Sequence, residues 1–324
     1  MDIDFHEMRE IGFFNRIDRD RKIDIERVEK AGGWKEVDSC PICGTKPSSV
    51  TKIIYNVYGI KTIRCKVCNC LYDDKIPLSP NTGEYNIPSE DVIENLPDEQ
   101  KKNYRKERFG KERIKIIENY LNKDINLKDA RILDVGCNTG FFLDIAKNYS
   151  NHVEGIETAK ILGEYAEKTL GVKVHIIDLF DFNPDKKYDV ITLFDVIEHV
   201  CSPTKFLAKC KDLLNPGGIL LIFTPNYESV AFHVLGERSS LYIPADHLLF
   251  FSKDTVEFVA KKLNMEIEMY ETRGMDMFDI LAFERDINSV DISNSALLKN
   301  VNKMQNDIDE SHIANHMRFI LRRK

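Results

Sequence analysis

An apolar run that stops at a glycine turn constrains this chain most: Leu133-Asp134-Val135-Gly136-Cys137-Asn138-Thr139-Gly140-Phe141-Phe142. Such a run predicts a buried strand that ends in a tight turn and restarts as a helix, the geometry that receives a small charged cofactor at a strand's carboxyl end. A dinucleotide pyrophosphate requires glycine where Asn138 stands and a third glycine later in the turn, and this sequence has neither. Gly136 and Gly140 free the backbone for close approach. Asp134 places a carboxylate at the strand end for an ammonium group, and Glu157, twenty-one residues past Gly136, offers two acceptor oxygens to a pair of hydroxyls. The set suits a cofactor that carries a cation and a ribose.

Beyond Asp129 the chain alternates strand-like runs (131–135, 152–156, 172–177, 188–194, 218–223) with helical patterns, and 265–270 and 316–322 add two more strands around a polar helical stretch at 294–310. This alternation predicts a doubly wound α/β sheet with ligands at the carboxyl ends of its strands. On the glycine turn and Glu157 the chain resembles the class I S-adenosylmethionine-dependent methyltransferases over roughly residues 105 to 324. The resemblance implies a Rossmann-like, mostly parallel seven-stranded sheet whose last strand inserts antiparallel, with S-adenosylmethionine as cofactor. It places the methionine end on Asp134, Gly136, Cys137, Asn138, Gly140 and Phe141, and the ribose on Glu157. Asp178 then takes the adenine amino group and the Leu179 N–H a ring nitrogen, with Asp181 and Asp185 as competitors, while Phe194 lines the sulfonium.

Asp195-Val196-Ile197-Glu198-His199-Val200 carries the chemistry. Asp195, Glu198 and His199 at i, i+3 and i+4 are expected on one helix face, beside the point where the methyl group arrives. His199 is the expected base for a hydroxyl acceptor, because imidazole titrates in the useful range, and Glu198 is expected to fix its tautomer or help build the site. The segment resembles the Asp-Val-Ile-Glu-His motif of ubiquinone-biosynthesis O-methyltransferases and of sugar and glycan methyltransferases, as do Asn215-Pro216-Gly217-Gly218, Thr224-Pro225-Asn226 and Ala245 to Ser252. Asp195, Glu198, His199 and His247 also resemble the Mg²⁺ site of small-RNA 2′-O-methyltransferases, with Asp in place of the first Glu. His247 is otherwise a residue of the lid or substrate pocket. Between Asn226 and Asp246, Arg238 is expected to grip a substrate anion and Tyr242 to stack on a sugar or ring.

Ahead of this domain stand Cys40-Pro-Ile-Cys43 and Cys65-Lys-Val-Cys68, two knuckles with twenty-one intervening residues. That spacing predicts a closed, structural Zn²⁺ ribbon on Cys40, Cys43, Cys65 and Cys68, with Cys70 as the competing ligand. Cys137, Cys201 and Cys210 read as small core residues. The expected layout is a helical segment at 1–38, the ribbon at 39–76, a turn-rich linker at 77–97, and the catalytic domain at 98–324. The basic run from Lys101 to Lys115 reads as a solvated helix face, with phosphate contact as the alternative. A formal charge of -7 disfavours nucleic acid and anionic membranes as partners. With no apolar run long enough to span a bilayer and no signal-like N-terminus, a cytoplasmic enzyme acting on a small molecule or glycan is expected. The other readings are an RNA methyltransferase and a zinc-ribbon module that binds cofactor without catalysis.

Overall fold

In the computed structural model, residues 3–46, 51–78, 93–94, 96 and 106–324 are described. Uninterrupted apolar runs form the middle of the large sheet, because a parallel strand covered on both faces cannot alternate polar and apolar residues. The seven strands are β6 (Arg131–Val135), β7 (His152–Glu157), β8 (Lys173–Ile176), β9 (Tyr188–Phe194), β10 (Leu214–Pro225), β12 (Met265–Thr272) and β13 (His316–Arg323). Their spatial order is β12-β13-β10-β9-β6-β7-β8, parallel throughout except for β13, which runs antiparallel to both neighbours. This is the doubly wound, mostly parallel arrangement expected from the sequence, final strand included.

Alternate residues of each strand feed two cores. Leu133, Val135, Ile191, Leu193, Leu220, Ile222 and Phe319 pack with helices at Pro203–Leu213 and Lys253–Leu263. Ile132, Val190, Ile219, Leu221 and Ile320 pack with helices at Lys111–Tyr120, Phe141–Ala146 and Lys160–Leu170 on the other face. The chain leaves β6 for β7 and β8, then returns to β9 on the opposite side of β6. That reversal opens a crevice at the carboxyl ends of β6 and β9, where Gly136 and Asp195 begin their turns.

The cysteine module is built on the hairpin β2 (Thr51–Val57) and β3 (Ile60–Cys65), joined at Tyr58 and Gly59, both with φ above 50° as a two-residue hairpin turn demands. Strand β4 (Leu71–Asp73) pairs with β3, and the fourth strand, β11 (Leu249–Phe250), comes from the catalytic layer. Two short strands, β1 (Trp34–Glu36) and β5 (Lys75–Pro77), close the module, so residues 34–36 belong to it and not to the preceding helix. Cys40, Ile42, Cys65, Cys68 and Tyr72 share one hydrophobic cluster with Leu249, Phe251 and Val256 of the catalytic layer. Most of the expected 77–97 linker, and the start of the basic run, lie outside the described residues. Among the described residues no helix is long and apolar enough to cross a membrane. The helix Phe13–Lys30 packs on Asp276–Asp286 through Phe14 and Phe283, and on Ala245 and Ile60 through Ile25 and Val28.

A shared core makes unfolding cooperative. Trp34, the sole tryptophan, reports the cysteine module by fluorescence, whereas far-UV circular dichroism reports mainly the helices of the catalytic layer. The two denaturation curves are expected to share one midpoint; a module that melts first would show as separated curves.

Candidate functional site

Gly136 and Gly140 hold φ of 73° and 83°, the left-handed region open to glycine. A Cβ on Gly136 would stand 2.6 Å from Val196 Cγ2, and one on Gly140 would collide with Leu170 Cδ1. The turn is therefore pressed against both the segment after β9 and the helix Lys160–Leu170. Asn138, where a dinucleotide turn has glycine, also adopts a positive φ of 49° and caps Thr139 N with its own side chain. The following helix is only Phe141–Ala146. Glu157 closes β7 and accepts N–H bonds from Asn138 (2.8 Å) and Ala159 (2.9 Å), one on each oxygen, which orients the carboxylate and leaves lone pairs for hydroxyls. Asp134 is buried, accepts a 2.6 Å bond from Thr192, and is pushed up to about 7 by burial against that bond and the charge of Arg113.

Arg113 belongs to the basic run expected to form a solvated helix face, and its guanidinium is instead buried. Its guanidinium stands 4.0 Å over the Phe194 ring, 5.3 Å from Phe223 and 5.8 Å from Phe141. Burial lowers its pKa against the charges of Asp195 and Asp134, and its Nε has no hydrogen-bond partner among the described residues. A desolvated guanidinium beside the crevice suits an anionic group such as a carboxylate. The expected solvated face does have an inward side, since Arg113 shares the helical spacing of buried Ile116 and Ile117. Asp178 is occupied locally, accepting from Phe180 N (2.8 Å), and Leu179 is buried in the same turn.

The motif after β9 is no helix face. Ile197–His199 forms a single 3₁₀ turn, and Asp195 precedes it at φ 57°, half exposed, receiving a 3.1 Å contact from His316 Nε2. The spacing of Asp195, Glu198 and His199 thus places Asp195 apart, whereas Glu198, His199 and His247 each bring a ligand atom within 4.8 Å of the other two. Glu198 is fully buried; Thr224 donates to its Oε2 (3.0 Å), and Oε1 has no partner among the described residues. His199 Nδ1 lies 2.8 Å from the Asp246 carbonyl and 3.1 Å from its carboxylate, and His247 Nδ1 lies 2.7 Å from the Leu241 carbonyl. A carbonyl only accepts, so each Nδ1 carries a proton, and Nε2 is the nitrogen left for a ligand. Asp246, not Glu198, orients His199. Burial opposes charge on His199, yet Asp246 and Glu198 push it up to about 10; burial and the neighbouring His199 push His247 down to about 4. Burial raises Glu198 to about 7.

Two expected substrate contacts fall elsewhere. Tyr242 is fully buried, its ring against Tyr55 and Phe250 and its hydroxyl 2.6 Å from Thr62 Oγ1, so it has no free face for a sugar. Arg238 is exposed and lies over Phe283 of the helical layer. Cys137 and Cys210 are core residues as expected, while Cys201 is half-buried.

In the cysteine module Cys40 and Cys68 Sγ are 3.5 Å apart, Cys43 and Cys65 Sγ are 3.5 Å apart, and all four sulfurs lie within 4.8 Å of one another without a disulfide. Tetrahedral Zn²⁺ with bonds of about 2.3 Å sets sulfurs about 3.8 Å apart, so the donor set fits. Cys70 Sγ touches Cys40 (3.4 Å) and Cys68 (3.5 Å) but stands outside the group of four.

Residues 104–269 match the family model for a methyltransferase domain, about half of the chain. The chain belongs to the methyltransferase-domain family. It is 29% identical over 168 residues to a ubiquinone biosynthesis O-methyltransferase of Xanthomonas oryzae, covering 48% of this chain and 70% of that protein. To the Coxiella burnetii protein of the same name it is 26% identical over 125 residues, 36% of this chain and 53% of that one. A solved S-adenosylmethionine-dependent methyltransferase from Archaeoglobus fulgidus aligns with 17% identity and a TM-score of 0.45, over 68% of this chain and 98% of that one. The family match and the curated relatives make the protein an S-adenosylmethionine-dependent methyltransferase.

The Arg113 geometry gives a test. Arg113→Met is expected to weaken S-adenosylhomocysteine binding roughly tenfold or more while leaving 5′-methylthioadenosine, which lacks the carboxylate, little changed in calorimetry. Equal loss for both ligands would move the guanidinium away from the carboxylate.

Proposed function

We propose that this methyltransferase acts on a hydroxyl group of a small acceptor such as a sugar, nucleotide-sugar or glycan, and that Glu198, His199 and His247 form a divalent-cation site beside the transferred methyl. One observation carries this reading: Oε1 of Glu198 is buried without a partner among the described residues, and it shares a cluster, with ligand atoms within 4.8 Å of one another, with two imidazoles whose Nδ1 atoms are held by backbone carbonyls. Histidine ligands of metal ions have their second nitrogen fixed in this way. A bound Mg²⁺ or Mn²⁺ would lower the pKa of the acceptor hydroxyl.

The chain's own residues do the rest. Glu157 holds the cofactor ribose, and Arg113 and Asp134 hold the charges of its methionine end. S-Adenosylmethionine supplies an electrophilic methyl group when bound. The acceptor oxygen forms the new bond to that carbon as the S–CH₃ bond breaks, releasing S-adenosylhomocysteine. The hydroxyl proton leaves to solvent once the cation has lowered its pKa, because the lone pair of His247 Nε2 is committed to the cation and its Nδ1 already carries the proton bound to the Leu241 carbonyl. Zn²⁺ on Cys40, Cys43, Cys65 and Cys68 has a structural role in this reading, with no coordination position open to substrate.

Turnover is measured as S-adenosylhomocysteine release with a panel of hydroxyl acceptors. His247→Ala is expected to lower turnover roughly a hundredfold or more with cofactor affinity unchanged. EDTA is expected to abolish turnover and Mn²⁺ to restore it. Turnover indifferent to chelator, with His247→Ala near wild type, would overturn the proposal.

A further inference from the structure

His247 is held from two sides, and both holds lead back to the cysteine module. On the C-terminal side, Leu248 donates its N–H to the Glu198 carbonyl (2.8 Å), and the Leu248 carbonyl accepts from Asp73 N (3.1 Å). Leu249 and Phe250 then pair with Tyr72 and Leu71 of β4. On the N-terminal side, His247 Nδ1 donates to the Leu241 carbonyl, and the next residue, Tyr242, places its hydroxyl 2.6 Å from Thr62 Oγ1. Thr62 in turn donates to Asp73 Oδ1 (2.7 Å). A threonine hydroxyl has one proton, and here it goes to Oδ1 of Asp73, whose carboxyl is pushed up to about 8 by burial. Tyr242 must therefore donate to Thr62, which gives the chain a fixed direction: Tyr242 to Thr62 to Asp73.

All three side chains are buried, at 0%, 0% and 1% exposure, so each lost bond leaves a partner stranded with little access to solvent. Asp73 thus meets the segment carrying His247 twice, with its backbone N–H after the histidine and with its carboxylate, through Thr62 and Tyr242, before it. None of the three belongs to the glycine turn, the 3₁₀ turn or the cysteine set.

We propose that Thr62, Asp73 and Tyr242 form a buried positioning relay for His247, which makes the cysteine module a working part of the acceptor site and not a separate recruiting module. The proposal rests on the reading of His247 as an acceptor-site residue. It assigns the relay no contact with cofactor or acceptor.

Thr62→Val removes the hydroxyl at nearly constant volume, Thr62→Ser keeps it, and Asp73→Asn keeps an acceptor oxygen for it. The decisive readout is the ¹⁵N imidazole spectrum of His247, with Mn²⁺ affinity by electron paramagnetic resonance, S-adenosylhomocysteine affinity by calorimetry and bound zinc alongside. In wild type, His247 is expected as a single tautomer with the proton on Nδ1. Thr62→Val is expected to mix the tautomers and to lower Mn²⁺ affinity roughly ten- to a hundredfold, the range found for groups that orient metal ligands, at unchanged zinc content and cofactor affinity. Thr62→Ser and Asp73→Asn are expected to restore both. Tyr242→Phe breaks the same link, and serves if Thr62→Val fails to fold. A wild-type His247 spectrum in folded Thr62→Val or Tyr242→Phe would overturn the relay, as would a parallel loss of zinc or of cofactor binding, which marks general loosening. If wild type fails to bind Mn²⁺, the divalent-cation reading falls, while the tautomer measurement still decides the relay.

Discussion

Two residues of the catalytic layer, Leu249 and Phe250, complete the sheet of the cysteine module by pairing with Tyr72 and Leu71, and the segment that carries His247 is organised around that pairing. It brings the second knuckle down onto the helix Lys253–Leu263. There Thr255 closes the helix's capping box and also donates to the Cys68 carbonyl, while Ser252 and Tyr227 both donate to the Asn69 carbonyl. The turn between the last two cysteines is in this way hydrogen-bonded to three points that flank His247 in the chain. On the first knuckle, the Ile42 carbonyl accepts from Thr204 and Lys262. A module fixed so often has little freedom to swing.

The other half of the site obeys a different constraint. At the switch point of the sheet, two turns meet across β6 and β9, and only glycine at 136 lets Val196 lie against the first turn. The cofactor side is a set of backbone turns oriented by Glu157. The acceptor side is a cluster of buried ionisable groups, in which His199 charges at the cost of His247. Burial of a carboxylate oxygen without a partner is costly, and retention of Glu198 in that state is understandable where a cation completes it.

Periodicity and turn chemistry made the sheet legible, since parallel strands read as apolar runs and the glycine turn marks the carboxyl end of β6. The two Cys-x-x-Cys knuckles were legible from spacing alone. What spacing could not convey was which face a short segment presents: Asp195, Glu198 and His199 match a helical interval, but the chain makes one 3₁₀ turn, and Asp195 adopts a left-handed conformation that separates it from the others. Arg113 was hidden in a run of basic residues, distinguished only by its place beside buried isoleucines. Aromatic and basic residues in such inserts often touch substrate, which is all that the sequence conveys of Tyr242 and Arg238. Tyr242 is buried because the cysteine module covers it, a partner far away in sequence. Asp246 and His316, which hold His199 and Asp195, could be found only in three dimensions.

Anomalous diffraction from crystals grown with S-adenosylhomocysteine and Mn²⁺ tests the central claim most directly, because zinc and manganese are separable at their absorption edges. The account predicts zinc among Cys40, Cys43, Cys65 and Cys68, and manganese bound by Glu198, His199 and His247 beside the cofactor sulfur. Manganese absent from those three side chains in crystals that hold the cofactor, or ligated elsewhere in the crevice, would contradict it.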